Sequence, residues 1–307
     1  MTSAMLIPVI MTIVGAATPI LLAALGELVV EKSGVLNLGV EGMMLIGAVT
    51  GFAVTTVTGQ PVIGILAAML AAAGAAFIFG FLTLTLTANQ VATGLALTIF
   101  GIGLSALAGG DYVGRTVDVF GSVFPTGLAE HPFWRVIFGY SPIVYFSIIM
   151  VFAVRWFLRS TRAGLILRAV GESDTSAHSI GYPVIGVRYM AVLFGGAMAG
   201  IAGCFYSLVL TPMWAEQLTA GRGWIALALV VFASWRPGRL LLGAYLFGLV
   251  MTLELHLKAA GVSLVAPEFL AAMPYLVTIG VLALISARKA GSSAAPACLG
   301  KPFKPGN

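Results

Sequence analysis

The sequence predicts an all-α, polytopic transmembrane bundle of about nine spans, and three observations lead to it. Hydrophobic residues make up 60% of the 307 and charged residues 9%, with a mean hydropathy of +1.05; soluble domains carry about 25% charge. The apolar residues fall in runs about 20 long, enough to cross a hydrocarbon layer about 30 Å thick as helix. Turn chemistry separates the runs, as at Thr58-Gly-Gln-Pro61, Thr87-Ala-Asn-Gln90 and Arg236-Pro-Gly-Arg239.

The spans are expected in order at 5–26, 35–57, 61–86, 91–109, 142–158, 189–210, 219–235, 240–257 and 270–287. The first has no basic run before it and is too long for a signal-peptide core, so it reads as a retained helix. The seventh is the weakest. Trp224 to Trp235 covers only about 16 Å of helix at 1.5 Å per residue, so the span must begin earlier, and Arg222-Gly223 can break it. Two gaps are long: 110–141, with Asp111, Arg115, Asp118, Glu130 and Arg135, and the basic stretch 159–188. Residues 1–287 form the expected transmembrane domain, and 288–307, rich in Ser, Ala, Pro, Gly and Lys, a disordered cytoplasmic tail. Cys204 and Cys298 give neither a disulfide framework nor a metal spacing.

Orientation follows from the basic residues, which are retained on the cytoplasmic side. With 159–188 inside, twelve of the sixteen Lys and Arg lie inside, and Arg115, Arg135, Arg222 and Lys258 lie outside. The N-terminus is then outside and the C-terminus cytoplasmic. The net charge of +5 is accounted for by this bias and implies no nucleic-acid partner.

The first two spans are joined by an unusually polar segment holding Glu27, Glu31, Asn37 and Glu41. A carboxylate at the centre of a membrane helix costs about 2.5–3.5 kcal/mol on insertion scales. Asn37 and Glu41 stand four apart, a spacing that puts both on one helical face. They either line a polar translocation path or hydrogen-bond the unwound backbone of 34–39, whose polar groups need partners in a membrane; the second reading is favoured. At the start of the fourth span Asn89 reads best as an N-cap.

The stretch 162–183 is too polar to span. Within it 173–180 is expected to form a short helix, capped by Ser173 or Asp174 and stopped by Gly181 and Pro183. Flanked by arginines, such a helix suits a groove on a cytoplasmic partner; its arginines equally suit a loop that only holds orientation. Small residues recur four apart at Gly47/Gly51, Gly196/Gly200 and Gly195/Ala199/Gly203, which lets helices approach closely in lipid. Packing within the chain is the favoured reading there. His178 reads as a loop residue and Glu254 with His256 as an interfacial pair, so no metal and no cofactor are implied.

The segments 26–47 and 168–181, the small-residue helix Gly195–Gly203, and 221–237 together resemble the permease subunits of bacterial ABC importers. The branch is similar to those serving nucleosides and simple sugars, related to ribose and branched-chain amino acid permeases. The resemblance implies an inner-membrane permease that works with a second permease, a tandem-domain ATPase and a periplasmic or lipid-anchored solute-binding protein. It implies ATPase coupling through the loop between the fifth and sixth spans, here with Arg168, Gly171, Glu172, Asp174, Ala177 and Gly181. Asn37, Glu41, Asn89 and Thr98 are the candidates for the translocation path. Thr98 stands where the family has asparagine, and Phe232-Ala-Ser-Trp235 where Phe-Gly-Arg-Trp is usual.

The chain has no Gly-x4-Gly-Lys-Ser/Thr phosphate loop and no Ser/His/Asp constellation. ATP hydrolysis is therefore expected on a separate chain, and the protein is not expected to be an enzyme. The alternative is an ion-coupled secondary carrier, a class that often keeps ionisable residues or broken helices near the midplane. The third, fourth, sixth and ninth spans hold no charge.

Overall fold

Gly26 does not end the first helix. With no proline or positive-φ residue between Gly26 and Gly34, helix α1 runs Ser3–Lys32 and carries Glu27 and Glu31 into the bundle. The structure, a computed structural model, describes residues 3–122, 124, 132–259, 272–273, 276–277, 279–280 and 295–304. Helix α2 (Val40–Thr58) ends on left-handed Gly59, and α3 (Pro61–Gly80) begins on proline and runs into a π-helical turn, Phe81–Thr85. Then come α4 (Gln90–Gly109), the short α5 (Pro132–Phe138) and α6 (Pro142–Ser160). The loop beyond α6 is two helices, α7 (Arg162–Glu172) and α8 (Asp174–Ser179). Helix α9 (Val184–Phe205) ends in a second π turn, Tyr206–Leu210, and is followed by α10 (Arg222–Phe232) and α11 (Pro237–Ala259).

Seven of these segments are long and apolar enough to cross a membrane, so the chain is a multi-pass membrane protein. Two further expectations change, and a third is not reached. Residues 35–39 are non-helical, and the second span begins at Val40 because Asn37 turns the chain by bonding to the amide of Gly39. The seventh span is an eleven-residue helix, α10, preceded by left-handed Gly221, and it is shorter than a membrane crossing. The ninth, 270–287, lies mostly outside the described residues.

Helix α9 is the hub and packs on α1, α2 and α3. Its small residues make this possible: Gly203 lies on the Met44 carbonyl, and Gly200 lies against Gly47. A methyl group at Gly47 would stand 2.5 Å from the Cα of Gly200. The small-residue rows are thus used inside the chain, where van der Waals contact replaces the hydrophobic driving force that lipid cannot supply. Gly47→Ala should force these helices apart at a cost of about 1–3 kcal/mol. It is read as a lower thermal midpoint in detergent, whereas Gly74→Ala, with no atom within 4 Å of the added carbon, should leave the midpoint unchanged or higher.

Candidate functional site

Breaking a helix inside a membrane leaves amides and carbonyls that water cannot serve. The break between α1 and α2 is served by its own Asn37 and by side chains from α1 and α4. Asn37 Oδ1 accepts from the amide of Gly39 at 2.9 Å, and Glu27 Oε1 accepts from the amide of Asn37 at 3.2 Å. From α4, Gln90 accepts from the amide of Leu36 at 2.8 Å, and the Thr98 hydroxyl donates to the Leu38 carbonyl at 3.0 Å. All four of these side chains are buried.

Glu41 faces elsewhere. Its Oε1 accepts from the Thr219 hydroxyl at 2.6 Å and the amide of Gly221 at 2.8 Å, and its Oε2 from the amide of Gly223 at 2.6 Å. A carboxylate on the free amides of a helix start satisfies them and suits the positive end of the helix dipole. Beyond the other end of α10, Ser234 and Trp235 both hold left-handed backbone, φ 50° and 54°. Left-handed non-glycine residues cost about 1–3 kcal/mol each unless their surroundings hold them. Here the Trp235 indole donates to Glu31, and its amide donates to Val230 O at 3.2 Å. One short helix is therefore gripped at its start by Glu41 of α2 and just past its end by Glu31 of α1.

The α7–α8 pair is fixed to the same break. Ser173 caps α8, accepting from the amide of Ser176 at 3.3 Å, and Gly181 follows it with φ 90°. Arg188, fully buried at the start of α9, donates to Asp174 at 3.0 Å, to Ser33 O at 3.1 Å and to Lys301 O at 3.4 Å. Residues 295–304, part of the expected disordered tail 288–307, pack against the loop and the break. Cys298 N donates to Gly171 O at 3.0 Å and Gly300 N to Gly34 O at 3.1 Å, while Phe303 is buried with Val170, Ala177 and Val184. The physical reason is a hydrophobic anchor, Phe303, following a turn whose amides find carbonyls on the loop and on the break.

Among the expected loop residues, Arg168, Glu172 and Gly181 are exposed, whereas Gly171, Asp174 and Ala177 are buried and hold the loop from within. Among the expected path residues, Asn37, Glu41 and Thr98 gather where α2 begins. Asn89 is exposed and accepts from the amide of Ala92 at 3.0 Å as the cap of α4. Asn37 and Glu41 do not share a helical face, because α2 starts between them. Arg188, Thr219 and Trp235 were not singled out as site residues from sequence; an arginine four residues past a helix-stopping loop was the available signal. A cavity of about 450 Å³ opens beside the start of α10, lined in part by Thr12, Tyr206, Arg222, Ile225 and Thr252, with the Arg222 guanidinium 4.8 Å from the Tyr206 ring centre.

Glu41→Ala strands two buried donors, Thr219 and Gly223, and a half-buried one, Gly221, and should cost about 3 kcal/mol or more. Glu41→Gln keeps one carbonyl oxygen and should cost less than half of that, both measured by thermal unfolding in detergent.

The family model described as "Branched-chain amino acid transport system / permease component" matches residues 9–284. A protein of Haloferax volcanii named "Putative glucose ABC transporter permease protein" is 42% identical over 88% of this chain and 88% of its own length. The guanosine ABC transporter permease protein of Bacillus subtilis is 32% identical over 78% of this chain and 79% of its own. The nucleoside ABC transporter permease protein of Lactococcus lactis is 28% identical over 87% and 89%. No solved structure matches the chain. A bundle of apolar helices joined through buried carboxylates, matched along nearly its whole length, belongs to the permease components of the branched-chain amino acid transport system family, a transport subunit and not an enzyme.

Proposed function

We propose that the chain is the membrane-spanning subunit of an ATP-driven importer, carrying a nucleoside or simple sugar across the inner membrane. The observation that carries this reading is the α7–α8 pair. It is a firmly held double helix between two spans, with an exposed tip at Ile180-Gly181 and an inner side bolted to the break between α1 and α2 through Arg188 and Asp174. A nucleotide-hydrolysing partner pressing on Arg168, Glu172 and the Gly181 tip would move a body that is already tied to the bundle. The partners are a tandem-domain ATPase, a second permease and a periplasmic or lipid-anchored binding protein, with the N-terminus outside and the C-terminus cytoplasmic. The cavity beside α10 has room for a nucleoside or a hexose, within the usual size of small-molecule sites of about 300–1,000 Å³. The relatives named for glucose, guanosine and nucleosides support the same solute classes.

In this account Asn37, Glu41 and Thr98 shape the path by holding α10 and the break in place, and they do not act as ligands themselves. Gly181 is left-handed, and no atom lies within 4 Å of where a side chain would begin. Gly181→Leu should therefore meet no steric clash and cost about 1–3 kcal/mol of backbone strain confined to the exposed tip, leaving the bundle assembled but the tip reshaped. Uptake of labelled guanosine or glucose by cells producing the full transporter should fall about tenfold, with ATP hydrolysis by the complex largely kept. Wild-type uptake that survives ATP depletion and collapses with a protonophore would instead identify an ion-coupled carrier.

A further inference from the structure

At the end of the bundle that carries α7 and α8, a cleft of about 440 Å³ is lined by Lys32 of α1, Arg155 and Arg159 of α6, Arg168 of α7, and Arg236 and Arg239 at the start of α11. Among the described residues no carboxylate lines it. Glu31 and Glu172 face Lys32, and Glu31 is already engaged by Trp235. None of the five guanidinium groups makes an ion pair or hydrogen bond among the described residues. Arginines that only set orientation need lie on one side of the membrane; they need not converge from three helices on one space.

We propose that this cleft binds the phosphate headgroup of an anionic phospholipid. Charge complementarity selects a polyoxygenated anion, for which guanidinium forks are well shaped. The neighbouring surface selects a lipid over a soluble anion or an acidic protein face. Directly along α6 from the arginines, Ile149, Phe152 and Trp156 are 62%, 62% and 64% exposed, and on α11 Leu242 is 72% exposed. Acyl chains lying on those rows bring a headgroup to the cleft mouth, with Trp156 at the level where interfacial aromatics settle. The bound lipid would tie α6, α7 and α11 together beside the α7–α8 pair. The proposal needs only the chain's residence in a membrane and not its role as an importer.

The test uses the full-length chain, purified in neutral detergent and examined by native mass spectrometry with phosphatidylglycerol, phosphatidylcholine or inorganic phosphate. Phosphatidylglycerol should be retained in preference to phosphatidylcholine, and millimolar phosphate should not displace it. Arg155→Gln with Arg239→Gln should weaken that retention about tenfold or more. Lys301→Gln with Lys304→Gln, an equal loss of charge away from the cleft, should not weaken it. Equal retention of the two lipids, displacement by phosphate, or retention by the double arginine variant at the wild-type level would overturn the proposal. So would a double arginine variant that keeps its lipid but loses its grip on a soluble ATPase. Circular dichroism confirms that both double variants are folded before they are compared.

Discussion

Three carboxylates on two adjacent helices supply the acceptors that the broken parts of this bundle require. Glu27 serves the amide of Asn37 in the break between α1 and α2, Glu41 serves the start of α10, and Glu31 serves the indole that fixes the chain just beyond the end of α10. Buried carboxylates are costly, and here the cost is offset in part by backbone amides or an indole that would otherwise be stranded in a medium without water, with Glu27 Oε2 left unpaired among the described residues. The two requirements partly cancel each other locally, so the polar groups can sit in the bundle while its outer faces stay apolar.

The same arrangement links the two ends of the molecule. Arg188 and residues 298–301 join the α7–α8 pair to Ser33 and Gly34, the first residues of the break. The break continues through Asn37 and Gly39 into α2, whose second residue, Glu41, holds α10. A displacement of α7–α8 thus has a short route of hydrogen bonds to the helix beside the 450 Å³ cavity. The small-residue contacts of α9 hold α1, α2 and α3 in close packing around it.

Much of this was legible in the sequence. Run length placed six long spans from Val40 to Ala259 and the first span's beginning, because each is a continuous apolar stretch with turn residues at its ends. Asn89 and Ser173 were readable as caps, since capping is a local matter of side-chain type and position. The Glu27–Glu41 segment was readable as special from its cost alone. What was not legible is pairing at a distance: that Glu41 reaches residues 219–223, that Glu31 reaches Trp235, and that Gln90 and Thr98 turn to 36–38. Helical spacing put Asn37 with Glu41 on one face, and the unwinding before Val40 removed the premise. Composition likewise suggested disorder for the last residues, and one phenylalanine, Phe303, was enough to dock part of them.

The central claim is mechanical continuity from the α7–α8 pair through the break to α10, and hydrogen exchange resolved by residue tests it most directly in the Arg188→Gln protein. Freed from Ser33 and Asp174, the loop should loosen. Faster exchange should then appear at residues 33–39 and also at 219–224, which Arg188 does not touch. If faster exchange is confined to 170–190 while 33–39 and 219–224 stay as protected as in the wild type, the loop and the short helix are independent and the account is wrong.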